Sequence, residues 1–177
     1  HAIAGVEVEA KLVRHYPRGE LMVHAVGSVR RINESDARRL DAVAYSGTNH
    51  VGKIGVEKFY EEDLLGNVGY QQVEIDVRGK VMKILKSNLP SRGKDLILHV
   101  DSSLQAAASA ALGDRRGTVV AIEPKTGGIL ALVSKPGYDP NLFVTGIDHK
   151  TYAALRDSKD LPLFNRAVQG QYEPGST

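Results

Sequence analysis

The residues best suited to chemistry stand at the end of the sequence, where Pro174 and Gly175 precede Ser176 and Thr177. Proline fixes φ and glycine permits a tight turn, so this pair can present a hydroxyl where a helix begins. A serine at such a position lies near unpaired N–H groups and the positive end of the helix dipole, which suits a nucleophile that attacks a carbonyl. Taken alone, however, the four residues are far more typical of a simple helix N-cap.

Other sequence patterns that could indicate a catalytic or binding site are weaker. Lys125-Thr126-Gly127 spells a catalytic motif of serine acyltransferases, but there the motif follows the nucleophile, whereas here it comes before Ser176. We interpret it as part of a turn. Gly52-Lys53 is followed by Ile54 instead of the hydroxyl residue that a phosphate-binding loop requires. The acidic run Glu61-Glu62-Asp63 is interpreted as a solvated helix surface.

Composition narrows the functional classes. The 177 residues can bury a sizeable core, and 42% hydrophobic with 25% charged residues is ordinary for a globular protein. A net charge of +2 is too small to indicate nucleic acid or a membrane surface as a partner. There is no cysteine, and no two of the six histidines have ligand spacing on a predicted helix, so the sequence supports no metal site. Spacing alone does not exclude a Ser-His-Asp triad, although no pattern points to one.

Several short motifs follow one another in order along the chain. They are Arg14-His15-Tyr16-Pro17, the run 24–29, Arg31-Ile32-Asn33-Glu34, the run 52–61, Asp101-Ser102-Ser103-Leu104-Gln105, the run 127–134, Tyr138-Asp139-Pro140-Asn141, Asn165-Arg166-Ala167 and the end of the chain at Ser176. In this order they resemble the elongation type of class B penicillin-binding proteins (the penicillin-binding protein 2 group). The resemblance runs over essentially all 177 residues, and its collinearity is far more specific than any single motif.

The resemblance implies that Ser176 is the nucleophile that becomes acylated. The family's Tyr-Pro-Pro-Gly-Ser-Thr-x-Lys pattern is matched except at Glu173, where the family usually has proline, so the turn before Ser176 is expected to be looser. The general-base lysine of Ser-x-x-Lys lies one helical turn after the serine, which is beyond Thr177. We therefore expect the 177-residue chain alone to be catalytically inactive.

The implied activity of the parent protein is that of a peptidoglycan D,D-transpeptidase of cell elongation. Implied ligands are peptidoglycan stem peptides and beta-lactams, and implied partners are a SEDS-family glycan polymerase and a rod-shape scaffold protein. The implied location is the periplasmic face of the bacterial inner membrane, with an anchor outside this chain; no nucleic acid, metal or organic cofactor is implied. Two alternatives remain open: the first half acting as a binding module for elongation-complex partners, and a penicillin-sensing receptor that stalls at the acyl stage.

The elements that must position Ser176 indicate an α+β architecture. The Pro- and Gly-containing stretch 87–93 is the best linker signal, and we place a domain boundary there. By the resemblance, residues 1–93 would be part of a non-catalytic pedestal domain of the dimerisation type. Residues 94–177 would be the start of a transpeptidase domain with an antiparallel sheet and helices, truncated at its Ser-x-x-Lys motif.

Hydrophobic periodicity and capping residues predict the individual elements. The first part begins with an extended region over 1–32, which contains a strand at Val6 and Val8. A helix follows from the N-cap Asn33, with Asp36 in the reciprocal capping position, and Gly47 ends it. After it come a Gly-rich connector over 46–55, a helix over 56–66 with an apolar face that includes Phe59, and a hairpin over 73–85. In the second part they are a strand over 94–100, a helix over 104–112 capped by Asp101 or Ser102, a hairpin of 118–122 with 129–133, and a short helix capped by Asp148. A half-built sheet would expose the apolar edge at 129–133, so we expect the chain alone to aggregate or dimerise.

Overall fold

The computed structural model describes residues 13–171. The strand predicted at Val6 and Val8 and the predicted nucleophile Ser176 lie outside the described residues. Among residues 13–171 the chain forms short helices and three antiparallel pairs of strands, an α+β arrangement. None of the helices in this range has the length and apolarity needed to span a membrane.

The helices and strands follow one another in mixed order. A 3₁₀ turn covers Gly19–Leu21, and the helices are α1 (Val23–Val26), α2 (Glu34–Ala37), α3 (Gly55–Phe59), α4 (Glu61–Leu65), α5 (Ser102–Leu112), α6 (Asn141–Val144), α7 (His149–Arg156) and α8 (Arg166–Gln169). The strands are β1 (Ser28–Arg31), β2 (His50–Ile54), β3 (Tyr70–Ile75), β4 (Val81–Asn88), β5 (Gly117–Ile122) and β6 (Ile129–Lys135). The pairs are β1 with β2, β3 with β4, and β5 with β6.

The first sheet corrects two sequence predictions. The region before β1 is not extended throughout, because the 3₁₀ turn and α1 occupy 19–26, and the predicted connector 46–55 contains β2. Gly27 ends α1 with φ +87°, and a Cβ built there would lie 1.9 Å from the Ile54 carbonyl oxygen. Only glycine allows this close approach, and it is what brings α1 against the end of β2.

The helix at Asn33 begins as predicted and ends early. Asn33 and Asp36 form the reciprocal capping box: the Asn33 side chain accepts from the Asp36 amide, and the Asp36 carboxylate accepts from the Asn33 amide. The predicted extension to Gly47 is wrong, because α2 stops at Ala37. After α2, the Asp41 carboxylate accepts from the amides of Val43 and Ala44 and so starts a separate turn.

The helix predicted over 56–66 is divided into α3 and α4 at Tyr60. The expected apolar face is wrong at Phe59, whose side chain is 81% exposed. The hairpin predicted over 73–85 is confirmed by β3 and β4, whose connecting turn is fixed by Asp76 accepting from the amides of Arg78 and Lys80.

In the second part, α5 with its N-cap Asp101, α7 with its N-cap Asp148, and the β5–β6 hairpin are all confirmed. The strand predicted over 94–100 does not form. The neighbouring edge of β6 bonds instead to the side chain of Gln105, whose amide donates to the Leu132 carbonyl and accepts from the Leu132 amide. At the start of the segment the Lys94 amide donates to the Asp63 carbonyl, and just after it the Asp101 amide donates to the Leu130 carbonyl of β6.

Two small clusters of buried residues join the start of the described chain to its later part. Tyr16 and Val29 pack with Val144, and Val23 packs with Tyr138 and Phe143. In both clusters, residues before position 30 contact residues after position 137. The packing therefore fixes α1 and β1 against the segment that leads toward Ser176.

Candidate functional site

The described part of the candidate site is the segment that leads to Ser176. Helix α8 ends at Gln169, and the last described residue is Gln171, five positions before the predicted nucleophile. The geometry of the serine hydroxyl therefore lies outside the described residues. What the structure gives is the set of contacts that hold its approach.

Asn165 uses the two ends of its amide for two different partners. Its Oδ1 accepts from the Ala167 amide at 3.1 Å and so caps α8. Its Nδ2 donates to the His24 carbonyl in α1 at 2.8 Å, across 141 positions of sequence. One side chain therefore both starts α8 and ties it to α1.

A second contact holds α8 to the β5–β6 hairpin. The Arg166 amide donates to Ser134 Oγ at 3.0 Å, and the Ser134 side chain is buried on β6. The Arg166 guanidinium donates to the carbonyls of Leu161 and Asp160, at 3.2 Å and 2.7 Å. These bonds fold the chain before α8 into a closed turn, so the start of α8 is held from two sides.

His24 lies beside this junction as a buried side chain. Burial lowers the pKa of His24 below its usual value of 6.5, and the positive charge of Arg166 acts in the same direction. Its ring stands edge-on to Tyr138, with centroids 5.8 Å apart, and its Nε2 has no hydrogen-bond partner in the described part of the chain. The imidazole is therefore neutral near pH 7.

A buried polar cluster supports the other side of α1. The Tyr16 hydroxyl accepts from the Val29 amide at 2.8 Å and donates to Glu57 Oε1 at 3.1 Å, while the Arg14 guanidinium pairs with the Glu57 carboxylate at 2.9 Å. Burial raises the pKa of Tyr16 far above its ordinary range. The phenol thus stays protonated, which suits a structural hydrogen bond and not a nucleophile or base.

Asn141 binds the backbone of Tyr16 from the later part of the chain. Its Oδ1 accepts from the Tyr16 amide at 2.9 Å, and its Nδ2 donates to the Tyr16 carbonyl at 3.0 Å. Beside this cluster lies an open cavity of about 270 Å³, with Met22, Val23 and Pro140 among its lining residues. This cluster and the Asn165 bond are two separate ties between the early and late parts of the described chain.

A shallow groove of about 560 Å³ runs between α1, α3 and α8. Its lining is largely apolar and includes Val23, Ile54, Phe59, Leu163 and Val168. Phe59 and Val168 are 81% and 70% exposed. The groove therefore presents apolar surface next to the approach to Ser176.

Other patterns singled out from the sequence have structural roles. Lys125-Thr126-Gly127 forms the turn of the β5–β6 hairpin, where the Gly127 amide donates to the Glu123 carbonyl. In the acidic run 61–63, the interpretation as solvated surface is wrong at Glu61. Its carboxylate accepts from the Gly52 amide at 2.7 Å and from the Tyr45 hydroxyl at 3.1 Å. No group of three or more potential metal ligands occurs in the described range 13–171.

Sequence reasoning did not find the roles of Asn165 and Gln105. Both residues stand in motifs that carry the family resemblance, but the motifs themselves indicate no contact partner. The distances between partners along the chain explain this, because Asn165 bonds to a carbonyl 141 positions away and Gln105 to a strand 27 positions away.

Two protein-family models match the chain. The model of the penicillin-binding protein dimerisation domain matches residues 1–98, and the model of the penicillin binding protein transpeptidase domain matches residues 117–177. The second match includes Ser176. The first match covers the elements up to β4 and the second covers those from β5 onward, whereas α5 lies between the two matches.

Individual proteins are similar to this chain over most of its length. The peptidoglycan D,D-transpeptidase MrdA of Acinetobacter baumannii is 53% identical over 173 residues, covering 98% of this chain and 26% of that protein. A crystal structure of Pseudomonas aeruginosa PBP2 in complex with WCK 5153 is 51% identical with a TM-score of 0.81, covering 94% of this chain and 33% of that one. A complex between PBP2 and MreC from Helicobacter pylori is 31% identical with a TM-score of 0.80, covering 87% of this chain and 28% of the PBP2 chain.

The chain thus spans about a quarter of the length of the curated relatives it matches, with 26% and 28% of two MrdA proteins covered.

Proposed function

Because the chain belongs to the penicillin-binding proteins, we propose that the protein carrying this sequence is a peptidoglycan D,D-transpeptidase that cross-links stem peptides during cell elongation. The observation that carries the proposal is the 53% identity to a peptidoglycan D,D-transpeptidase over 98% of the chain. The transpeptidase-domain model matches residues 117–177, a range that includes Ser176. The bonds that hold α8 a few residues before Ser176 add physical support, since a nucleophile needs a fixed position.

Ser176 is the proposed nucleophile. Its Oγ attacks the carbonyl carbon of the penultimate D-Ala of one stem peptide, an ester forms, and the terminal D-Ala leaves as the free amino acid. An amine of a second strand then attacks the ester, which forms the cross-linking amide and restores the serine hydroxyl. A beta-lactam acylates the same oxygen by opening its ring. The general base is the lysine of Ser-x-x-Lys, three residues after Ser176.

The remaining assignments concern the whole protein. Residues 1–93 form part of the pedestal domain and residues 94–177 begin the transpeptidase domain. A rod-shape scaffold protein binds the pedestal, an assignment supported by the complex of Helicobacter pylori PBP2 with MreC. A SEDS-family glycan polymerase is the second partner. The protein acts at the periplasmic face of the bacterial inner membrane.

The test is intact mass spectrometry before and after incubation with a labelled penicillin. We expect one adduct on Ser176 in the full-length protein and none in the 177-residue chain, because the lysine that activates the serine is not among its residues. Ser176→Ala should abolish the adduct, whereas Ser158→Ala, a change at another hydroxyl of the same region, should leave it unchanged.

The same samples separate the proposal from the open alternatives. A transpeptidase releases D-Ala when it is given a stem peptide and an amine acceptor, whereas a penicillin-sensing receptor keeps the acyl group and releases none further. An adduct on a residue other than Ser176, or no adduct in the full-length protein, would overturn the assignment. Labelling of the 19.2 kDa chain would show that the missing lysine is dispensable.

A further inference from the structure

We propose that Asn165 is a positioning residue, which ties the segment carrying Ser176 to helix α1 and makes acylation of Ser176 depend on the dimerisation-domain part of the chain. The inference rests on the proposed function, because it concerns the rate at which Ser176 is acylated. Asn165 lies eleven positions before the serine and is not itself a catalytic residue.

The acceptor of this bond is a carbonyl that the helix leaves free. Helix α1 ends at Val26, and the last carbonyls of a helix have no N–H partners within it. The Gly27 amide bonds to the Val23 carbonyl, and the His24 carbonyl accepts from Asn165 Nδ2 at 2.8 Å. Asn165 therefore satisfies a carbonyl of α1 for which residues 13–171 supply no other donor.

Helix α1 is itself firmly placed by its neighbours. Val23 is 1% exposed, and the close approach of Gly27 to the Ile54 carbonyl leaves no room for α1 to shift toward β2. The bond from Asn165 therefore connects α8 to a helix that is packed closely against the end of β2. A displacement of α1 relative to β6 would be felt at α8, because the Arg166 amide is bonded to Ser134 on β6.

The consequence for chemistry follows from the sensitivity of nucleophilic attack to position. A misplacement of about 1 Å in reacting groups costs rates on the order of a hundredfold. If α8 is held less firmly, we expect Ser176 to be displaced by less than this distance. We therefore expect loss of the Asn165–His24 bond to slow acylation without preventing it.

The two functions of the Asn165 amide can be separated by substitution. Asn165→Ser and Asn165→Asp keep an oxygen that can cap α8, but both lose the N–H that donates to the His24 carbonyl. Asn33→Ser is the matched control, because Asn33 is also a helix N-cap and its side chain bonds to the Asp36 amide and the Ser35 hydroxyl rather than to α8.

The experiment measures acylation of the full-length protein by a fluorescent penicillin, resolved into the dissociation constant of the initial complex and the acylation rate constant. For Asn165→Ser and Asn165→Asp we expect the rate constant to fall about tenfold, with the dissociation constant changed less than twofold. Asn33→Ser should change neither. Thermal unfolding of each variant gives its folded fraction, to which the rates are normalised.

A purely structural role for Asn165 would lower thermal stability and leave the normalised rate constant at the wild-type value, which would overturn the inference. The inference would also be overturned if Asn33→Ser slowed acylation as much as the Asn165 variants do. If the wild-type protein is not acylated at Ser176, the proposed function fails first. The wild-type measurement therefore distinguishes the two failures.

Discussion

At the scale of single residues, Gln105 shows how one side chain can replace a strand. It is fully buried in α5, and its amide both donates to and accepts from the backbone of Leu132, as a neighbouring strand would. The side-chain amide also reaches a second acceptor, because Nε2 donates to the Leu21 carbonyl at 2.9 Å. Gln105 therefore protects the free edge of β6 and connects it to the 3₁₀ turn.

Replacing this amide should be costly. In Gln105→Ala the amide and carbonyl of Leu132 lose their partner in a buried site, and each unsatisfied group costs about 1–3 kcal/mol. We expect the free energy of unfolding to fall by about 3 kcal/mol, measured by urea denaturation of the 177-residue chain. Gln72→Ala, at an exposed glutamine of β3, is the control and should change it far less. Equal effects of the two substitutions would show that Gln105 has no special role.

Titration of His24 should make the free energy of unfolding depend on pH. Because burial lowers its pKa below 6.5, the unfolded chain binds a proton more readily than the folded chain does. The stabilisation is complete above the unfolded-state value and is lost as pH falls from about 6.5 toward the lower folded-state pKa. We expect the free energy of unfolding of the wild-type chain to fall as the pH is lowered from about 7.5 to about 5.5.

Substitution assigns this loss to one histidine. His24→Gln should be less stable at neutral pH but should lose much less stability on acidification. His149→Gln, at an exposed position of α7, should keep the wild-type slope. The measurement is the urea midpoint at each pH, and a wild-type slope in His24→Gln would contradict the assignment.

At the scale of elements, the sequence predicts what local chemistry decides. The caps Asn33, Asp101 and Asp148 start their helices where the sequence places them, because each side chain bonds to amides within three residues. The two hairpins follow from alternation and turn residues for the same reason. The resemblance to penicillin-binding proteins likewise rests on short motifs, so the family was predictable from the sequence.

Elements that depend on distant partners were not predictable. The strand β2 was interpreted as a connector because of its glycine, yet a Cβ at Gly52 would lie 2.1 Å from the Glu57 carbonyl oxygen, so the glycine serves packing. The strand expected over 94–100 does not form although its apolar residues alternate as in a strand, because alternation alone does not supply a neighbouring strand. The same applies to the candidate site: the motif singles out Ser176, but the bond from Asn165 to His24 has no local signal.

At the scale of the whole molecule, apolar exposure falls on a different surface from the one expected. The predicted exposed edge at 129–133 is largely wrong, because Ala131, Leu132 and Val133 of β6 are buried. Several of the exposed apolar side chains lie on the β3–β4 hairpin. In its register, Val73 faces Ile84 and Ile75 faces Val81, so one side of the hairpin is apolar.

The other side of the hairpin is polar and charged, with Glu74 facing Lys83 and Gln72 facing Lys86. Ile75, Val81 and Ile84 are each more than half exposed, and a two-stranded sheet without a covered face is only marginally stable in water. Two copies of the hairpin can cover each other's apolar sides. Self-association would thus remove apolar surface from water without rearranging the rest of the chain.

We therefore expect the weight-average mass of the 177-residue chain in sedimentation equilibrium to rise above 19.2 kDa with concentration. Ile84→Lys places a charge on the apolar side and should shift the chain toward the monomer, because burying an unpaired charge in the contact is costly. Lys83→Gln, on the opposite side of the same strand, should leave the association unchanged. A monomer at every concentration would contradict the prediction, whereas an association that Ile84→Lys does not weaken would move the contact to another apolar surface, such as Phe59 and Val168 beside α8.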